Sequence, residues 1–76
     1  MYRREWLPEQ LLAVVRRYLR HADHSGERPT YLGYERFQRL HADLPSGTTV
    51  RNRLREVGLD SWPVIVTAAQ RHALAA

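Results

Sequence analysis

The thirteen residues from Ser46 to Gly58 combine side chains suited to reading a polar surface. If they form a helix, Val50, Leu54 and Val57 share one side at spacings of four and three, and that side turns inward. At 100° per residue, Thr48, Asn52 and Arg55 then point away from the core, with Thr49, Arg51 and Glu56 on the flanks. An arginine can fork onto the O6 and N7 edge of guanine, an asparagine can pair with adenine, and a threonine methyl can touch the thymine methyl. The free amides that open such a helix, together with the Ser46 and Thr48 hydroxyls, suit a phosphate. The same residue types also serve on any solvated helix face, so the chemistry depends on what positions the helix. Arg53 falls nearer the buried side and is expected to pair with a carboxylate.

A second basic group, Arg16, Arg17 and Arg20, with Arg3 and Arg4 nearer the start, offers secondary phosphate contacts. The four histidines are His21, His24, His41 and His72. His21 and His24 flank Asp23, but two histidines in a loop with no spaced partner do not make a metal site. The four glycines stand singly, so no phosphate-cradling loop is present. No Ser/His/Asp order is apparent, and Glu5, Glu9, Glu27, Glu35 and Glu56 read as surface carboxylates. No catalytic residue, metal or cofactor is expected, and the chain is not expected to be an enzyme.

The elements that must position these residues can be read from caps and periodicity. Pro8 and Glu9 suit a first helical turn. Leu11, Val15, Tyr18 and Ala22, widened by Leu12 and Leu19, give a helix with one buried side that ends near His21–Asp23. His24 to Pro29 reads as a loop. Thr30 caps a second helix over 31–41, with Tyr34, Phe37, Leu40, His41 and Leu44 near one face. Gly33 is a weak point in it. Ser46 caps the third helix over 47–57, and Gly58 closes it. Asp60 or Ser61 caps a fourth helix with Trp62, Val66, Ala69 and Ala73 on its apolar face and Ile65 beside them. Trp6 is expected to staple the chain onto the first helix, and Trp62 to pack between the third and fourth. The expected fold is all-α, a compact bundle of three to four helices formed by residues 1–76 as one domain. The pair of helices at about 31–57, the second rich in arginine, has the outline of a helix-turn-helix.

Composition narrows the classes. With 76 residues and no cysteine, disulfides and cysteine-rich zinc sites are excluded. The formal net charge is +4, and all twelve basic residues are arginine, a choice that GC-rich codon usage also produces. Residues 1–20 carry +3 and residues 46–58 carry +2, whereas 21–45 sum to −1 and 59–76 to zero. Positive charge confined to selected segments is the footprint of a nucleic-acid binder. No run approaches the roughly 20 apolar residues of a membrane span, and the start does not read as a secretory signal. A cytoplasmic location without a membrane partner is therefore expected.

Several segments also carry a resemblance. Arg28-Pro29-Thr30, Tyr34-Glu35-Arg36, Leu44-Pro45-Ser46-Gly47-Thr48-Thr49-Val50-Arg51-Asn52-Arg53-Leu54, Ser61-Trp62 and Ala68-Ala69 resemble the homing-endonuclease-associated repeat. This small helical DNA-binding module is found beside HNH nuclease domains and in many phage and actinobacterial proteins. The resemblance covers roughly residues 28–70. The chain departs from it in the longer passage from Leu54 to Ser61 and in Gln70-Arg71, which stand where the repeat closes on Gly-Leu. What it implies is a free-standing reader of double-stranded DNA in transcription or recombination control of a phage or mobile element. Such a reader would place Ser46, Thr48, Thr49, Arg51, Asn52 and Arg55 at the groove and Arg16, Arg17 and Arg20 on phosphates. A single module offers limited contact, so a homodimer or a second regulatory protein is expected, with the C-terminal helix as one pairing surface. The alternative is a protein-interaction module that binds and regulates an acidic partner.

Overall fold

In a computed structural model, residues 6–75 are described, with side chains described for 6–72. Arg3, Arg4 and the side chain of Ala73 therefore lie outside the described residues. Among the described residues four helices follow in order: α1 (Pro8–Ser25), α2 (Tyr31–Leu40), α3 (Gly47–Arg55) and α4 (Trp62–Ala75). No strand occurs among the described residues, and the architecture is a small all-α bundle.

α1 forms the spine. Leu11, Val14, Val15, Tyr18 and Ala22 are buried along one side, and α4 lies along it while α2 and α3 close the remainder. Trp6 packs on this core ahead of the helix, and the Leu7 N–H donates to Gln10 Oε1 at 3.0 Å. α1 runs beyond the expected stop at His21–Asp23 because Gly26 closes it. At φ 71°, Gly26 reaches the left-handed region that a side chain disfavours, and the Glu27 N–H then donates to the Ala22 carbonyl at 2.8 Å.

α2 begins where Thr30 accepts the Gly33 N–H at 2.9 Å. Gly33 is required here rather than merely tolerated, since a Cβ would overlap the Tyr18 hydroxyl. That hydroxyl accepts the Thr30 N–H at 3.2 Å, so one tyrosine of α1 holds the start of α2. The centre of the core is aromatic: Tyr18 meets Tyr34 edge-on at 5.8 Å and Phe37 at 5.6 Å.

Four expectations need correction. Leu40 is 78% exposed. Steps of three residues from Tyr34 to Phe37 to Leu40 each fall 60° short of a full turn, so Leu40 drifts off the buried side while Leu44 folds back to fill it. Val57 is 52% exposed because α3 ends at Arg55, before a helical register could turn Val57 inward. Its place in the closure is backbone only: Gly58, at φ 90°, lets the Leu59 N–H donate to the Leu54 carbonyl at 3.0 Å. Trp62 packs against rings of α1 and α2, not between α3 and α4, with Tyr18, Tyr31 and Tyr34 within 6.2 Å. Its Nε1–H donates to the Pro29 carbonyl at 3.2 Å, which ties α4 to the loop after α1. The buried side of α4 is accordingly centred on Ile65 and Ala69, with Val66 only half-buried.

Candidate nucleic-acid interface

The connection from α2 to α3, residues 41–46, is six residues long, longer than the three or four of a tight helix-turn-helix. It is nevertheless held firmly. The buried Tyr34 hydroxyl donates to the Pro45 carbonyl at 2.7 Å, and Gln38 Nε2 approaches the Leu44 carbonyl at 3.5 Å. Leu44 and Pro45 are themselves buried. Burial, with a smaller contribution from Tyr31, raises the Tyr34 pKa far above its ordinary value, so this donor keeps its proton.

Ser46 opens α3. Its Oγ accepts the Thr49 N–H at 3.2 Å and lies 3.1 Å from Thr49 Oγ1. These two hydroxyls are thus engaged with each other at the cap, whereas Thr48 is exposed. Val50 and Leu54 are fully buried, which fixes the rotation of the helix and leaves Thr48, Arg51, Asn52 and Arg55 exposed. Arg53 is half-buried and lies 3.9 Å from Glu56, the carboxylate pairing expected of it.

A contact that local sequence reasoning missed positions Arg51. Its guanidinium lies over the Tyr31 ring, 5.1 Å from the centroid. Tyr31 is braced in turn by Trp62 at 5.8 Å, and its ring presses on Gly47, where a Cβ would come within 2.7 Å of the hydroxyl oxygen. The first residues of α2 and of α3 are therefore matched: an aromatic ring in one and a bare glycine in the other. Gly47, at the opening of an arginine-rich helix, was the available signal. Such a cation–π contact contributes about 0.5–1 kcal/mol at an exposed site.

The basic group on α1 divides. Arg16 and Arg17 differ by 100° around the helix, and they serve different sides. Arg17 reaches the α2–α3 connection, 3.6 Å from Asp43 and 3.5 Å from His41 Nδ1. Arg16 and Arg20 line an open cleft with Asp23, Glu27 and Gln70, beside α4 and the loop after α1. Arg17 is thus placed with the candidate interface, while Arg16 and Arg20 are not brought to it.

Among the described residues, no ion pair engages Arg51 or Arg55. No group of three or more His, Cys, Asp or Glu side chains is arranged to hold a metal ion among them. The His21 and His41 rings both lie against Phe37, tilted, with centroids 4.9 and 4.5 Å away. No helix among the described residues is long and apolar enough to cross a membrane.

Comparison with family models, curated proteins and solved structures finds no match for this chain. The resemblance to the homing-endonuclease-associated repeat therefore rests on the short motifs quoted above.

Proposed function

We propose that this chain binds double-stranded DNA, with α3 entering the major groove and the connection before it lying against the backbone. The observation that carries this reading is the exposed face of α3. It joins Thr48, Arg51, Asn52 and Arg55 on one helix face, with neither arginine in an ion pair among the described residues. In this reading Arg51, held by Tyr31, and Arg55 donate to guanine edges, and Asn52 faces adenine. Ser46, Thr49 and the first amides of α3 lie near a phosphate, and Arg17, exchanging its exposed pairing with Asp43 for the phosphate, extends that contact across the connection. Arg16 and Arg20 add long-range attraction and no groove contact.

The role that fits is transcription or recombination control in the cytoplasm, by a binder without catalytic activity of its own. One short helix covers few base pairs, so specificity calls for a homodimer or a second regulatory protein. Fluorescence anisotropy with a random duplex over a salt series tests the reading. Affinity should fall steeply as salt rises, because each neutralised phosphate releases counterions.

One observation favours a second reading, in which the chain binds an acidic protein. Leu32 and Leu40 on α2 are 66% and 78% exposed, alongside the exposed Arg36 and Arg39. Apolar anchors among arginines suit a protein surface, and Leu32→Ala would weaken such a complex while leaving duplex binding unchanged.

A further inference from the structure

The outer side of α4 differs from the exposed sides of α1, α2 and α3. Residues 61–70 contain no charged side chain, whereas α1, α2 and α3 each carry arginines on their exposed sides. Ile65 and Ala69 face the core, yet the outer side carries further apolar residues, Pro63, Val64 and Ala68, beside the uncharged Thr67 and Gln70. Leu59, Pro63, Val64, Thr67, Ala68 and Arg71 line an open groove there, and Val64 is 41% exposed. A helix that is apolar on both sides is the pattern of one covered from both sides. Thr67 fits such cover, because its hydroxyl donates to the Pro63 carbonyl at 3.0 Å and leaves no unpaired donor for the cover to bury.

The stripe is also self-complementary. Asp60, just before α4, and Arg71, near its far end, are exposed and have no ion-pair partner among the described residues. They bear opposite charges eleven positions apart. In an antiparallel pair of α4 helices centred between positions 65 and 66, Asp60 of one chain stands opposite Arg71 of the other. In the same register Val64 stands opposite Thr67, and Pro63 opposite Ala68. The small Ala68 and Thr67 permit the close approach of about 8 Å between axes at which helices pack. Charge selects the occupant: an acidic protein would be drawn to the arginine faces, whereas two chains of net charge +4 approach with least repulsion on their neutral side.

We propose that two copies of this chain associate through the outer faces of α4, antiparallel about a two-fold axis. This gives a pairing surface to the homodimer that the duplex-binding reading allows, but it rests on α4 alone and can be tested without DNA. Sedimentation equilibrium from micromolar to about 1 mM protein, a range that reaches weak association, is the assay. The wild type should show a concentration-dependent dimer. Asp60→Arg and Arg71→Asp, each placing like charges at two symmetric sites, should each weaken dimerisation about tenfold. The double variant D60R/R71D should restore most of the affinity. Val64→Glu, on an exposed position, should abolish the dimer while the circular-dichroism melt of the monomer stays cooperative. A wild-type chain that remains monomeric throughout, or a dimer indifferent to Val64→Glu and to the charge reversals, would overturn the proposal. Either outcome would leave duplex binding to be judged by its own salt series.

Discussion

Replacing Gly33 by alanine sets two opposing effects against each other. On helix propensity alone Gly33→Ala should stabilise α2 by up to about 1 kcal/mol. The new Cβ, however, would overlap the Tyr18 hydroxyl and sit 3.0 Å from Thr30 Oγ1. Tyr18 is 1% exposed and touches Tyr34, Phe37 and Trp62, so its ring has nowhere to move without shifting three others. Overpacking of this kind costs about 1–3 kcal/mol. Displacing the hydroxyl also breaks the bond from the Thr30 N–H, a further loss of about 1 kcal/mol. The costs exceed the gain, and the net destabilisation should be about 1–3 kcal/mol. In a domain of this size each kcal/mol lowers Tm by roughly 4–8 °C, which a circular-dichroism melt resolves easily. Tyr18→Phe removes the oxygen that the Cβ meets, so Gly33→Ala should cost less in that background, giving a coupling of about 1 kcal/mol between the two sites. A neutral or stabilising Gly33→Ala in the wild-type background would refute this account of the α1–α2 contact.

Two further predictions concern the core and the connection. Leu54→Ala, at a fully buried site, should cost about 2–5 kcal/mol, whereas Val57→Ala should stay within about 0.5 kcal/mol; equal losses in urea denaturation would mean that α3 continues past Arg55 with Val57 packed inside. Tyr34 should make the fold sensitive to alkali. Its folded pKa is raised above the ordinary 10.0, so above pH 10 the unfolded chain releases a proton that the folded chain retains, and stability falls by up to about 1.4 kcal/mol per pH unit. Tyr34→Phe should flatten that slope while costing about 1–3 kcal/mol at neutral pH through the unpaired Pro45 carbonyl; an unchanged slope in the variant would assign the alkaline loss to other groups.

The parts of the fold that were legible in the sequence are those set by local rules. Thr30 and Ser46 cap α2 and α3 at the expected residues, the stripe from Leu11 to Ala22 is buried, and Gly58 follows α3 in the left-handed region. Caps and a 3.6-residue period act over four residues or fewer, so one chain displays them. What escaped notice depends on which helices meet. Gly33 looks like a flaw in α2 until Tyr18 of α1 lies against it, and Trp62 gives no sign that its indole must reach the Pro29 carbonyl. The cation–π contact of Arg51 with Tyr31 joins residues twenty positions apart and has no periodic trace. The division of Arg17 from Arg16 and Arg20, by contrast, was open to the helical angle; adjacency in the chain disguised it. In the candidate interface, the outward positions of α3 were read from Val50, Leu54 and Val57 and hold despite the exposure of Val57, because the first two fix the rotation, whereas the engagement of Ser46 with Thr49 required the cap geometry.

The central claim is that the exposed face of α3 binds duplex DNA. Anisotropy on a random duplex across a salt series, with Arg51→Ala/Arg55→Ala beside Arg16→Ala/Arg20→Ala, tests it most directly. Both double variants change exposed or half-buried side chains and should remain folded by circular dichroism. Salt-sensitive binding that is lost in the α3 variant and only weakened in the α1 variant is the predicted result. A folded wild-type chain that does not bind at low salt, or binding that falls equally in the two variants, would contradict it.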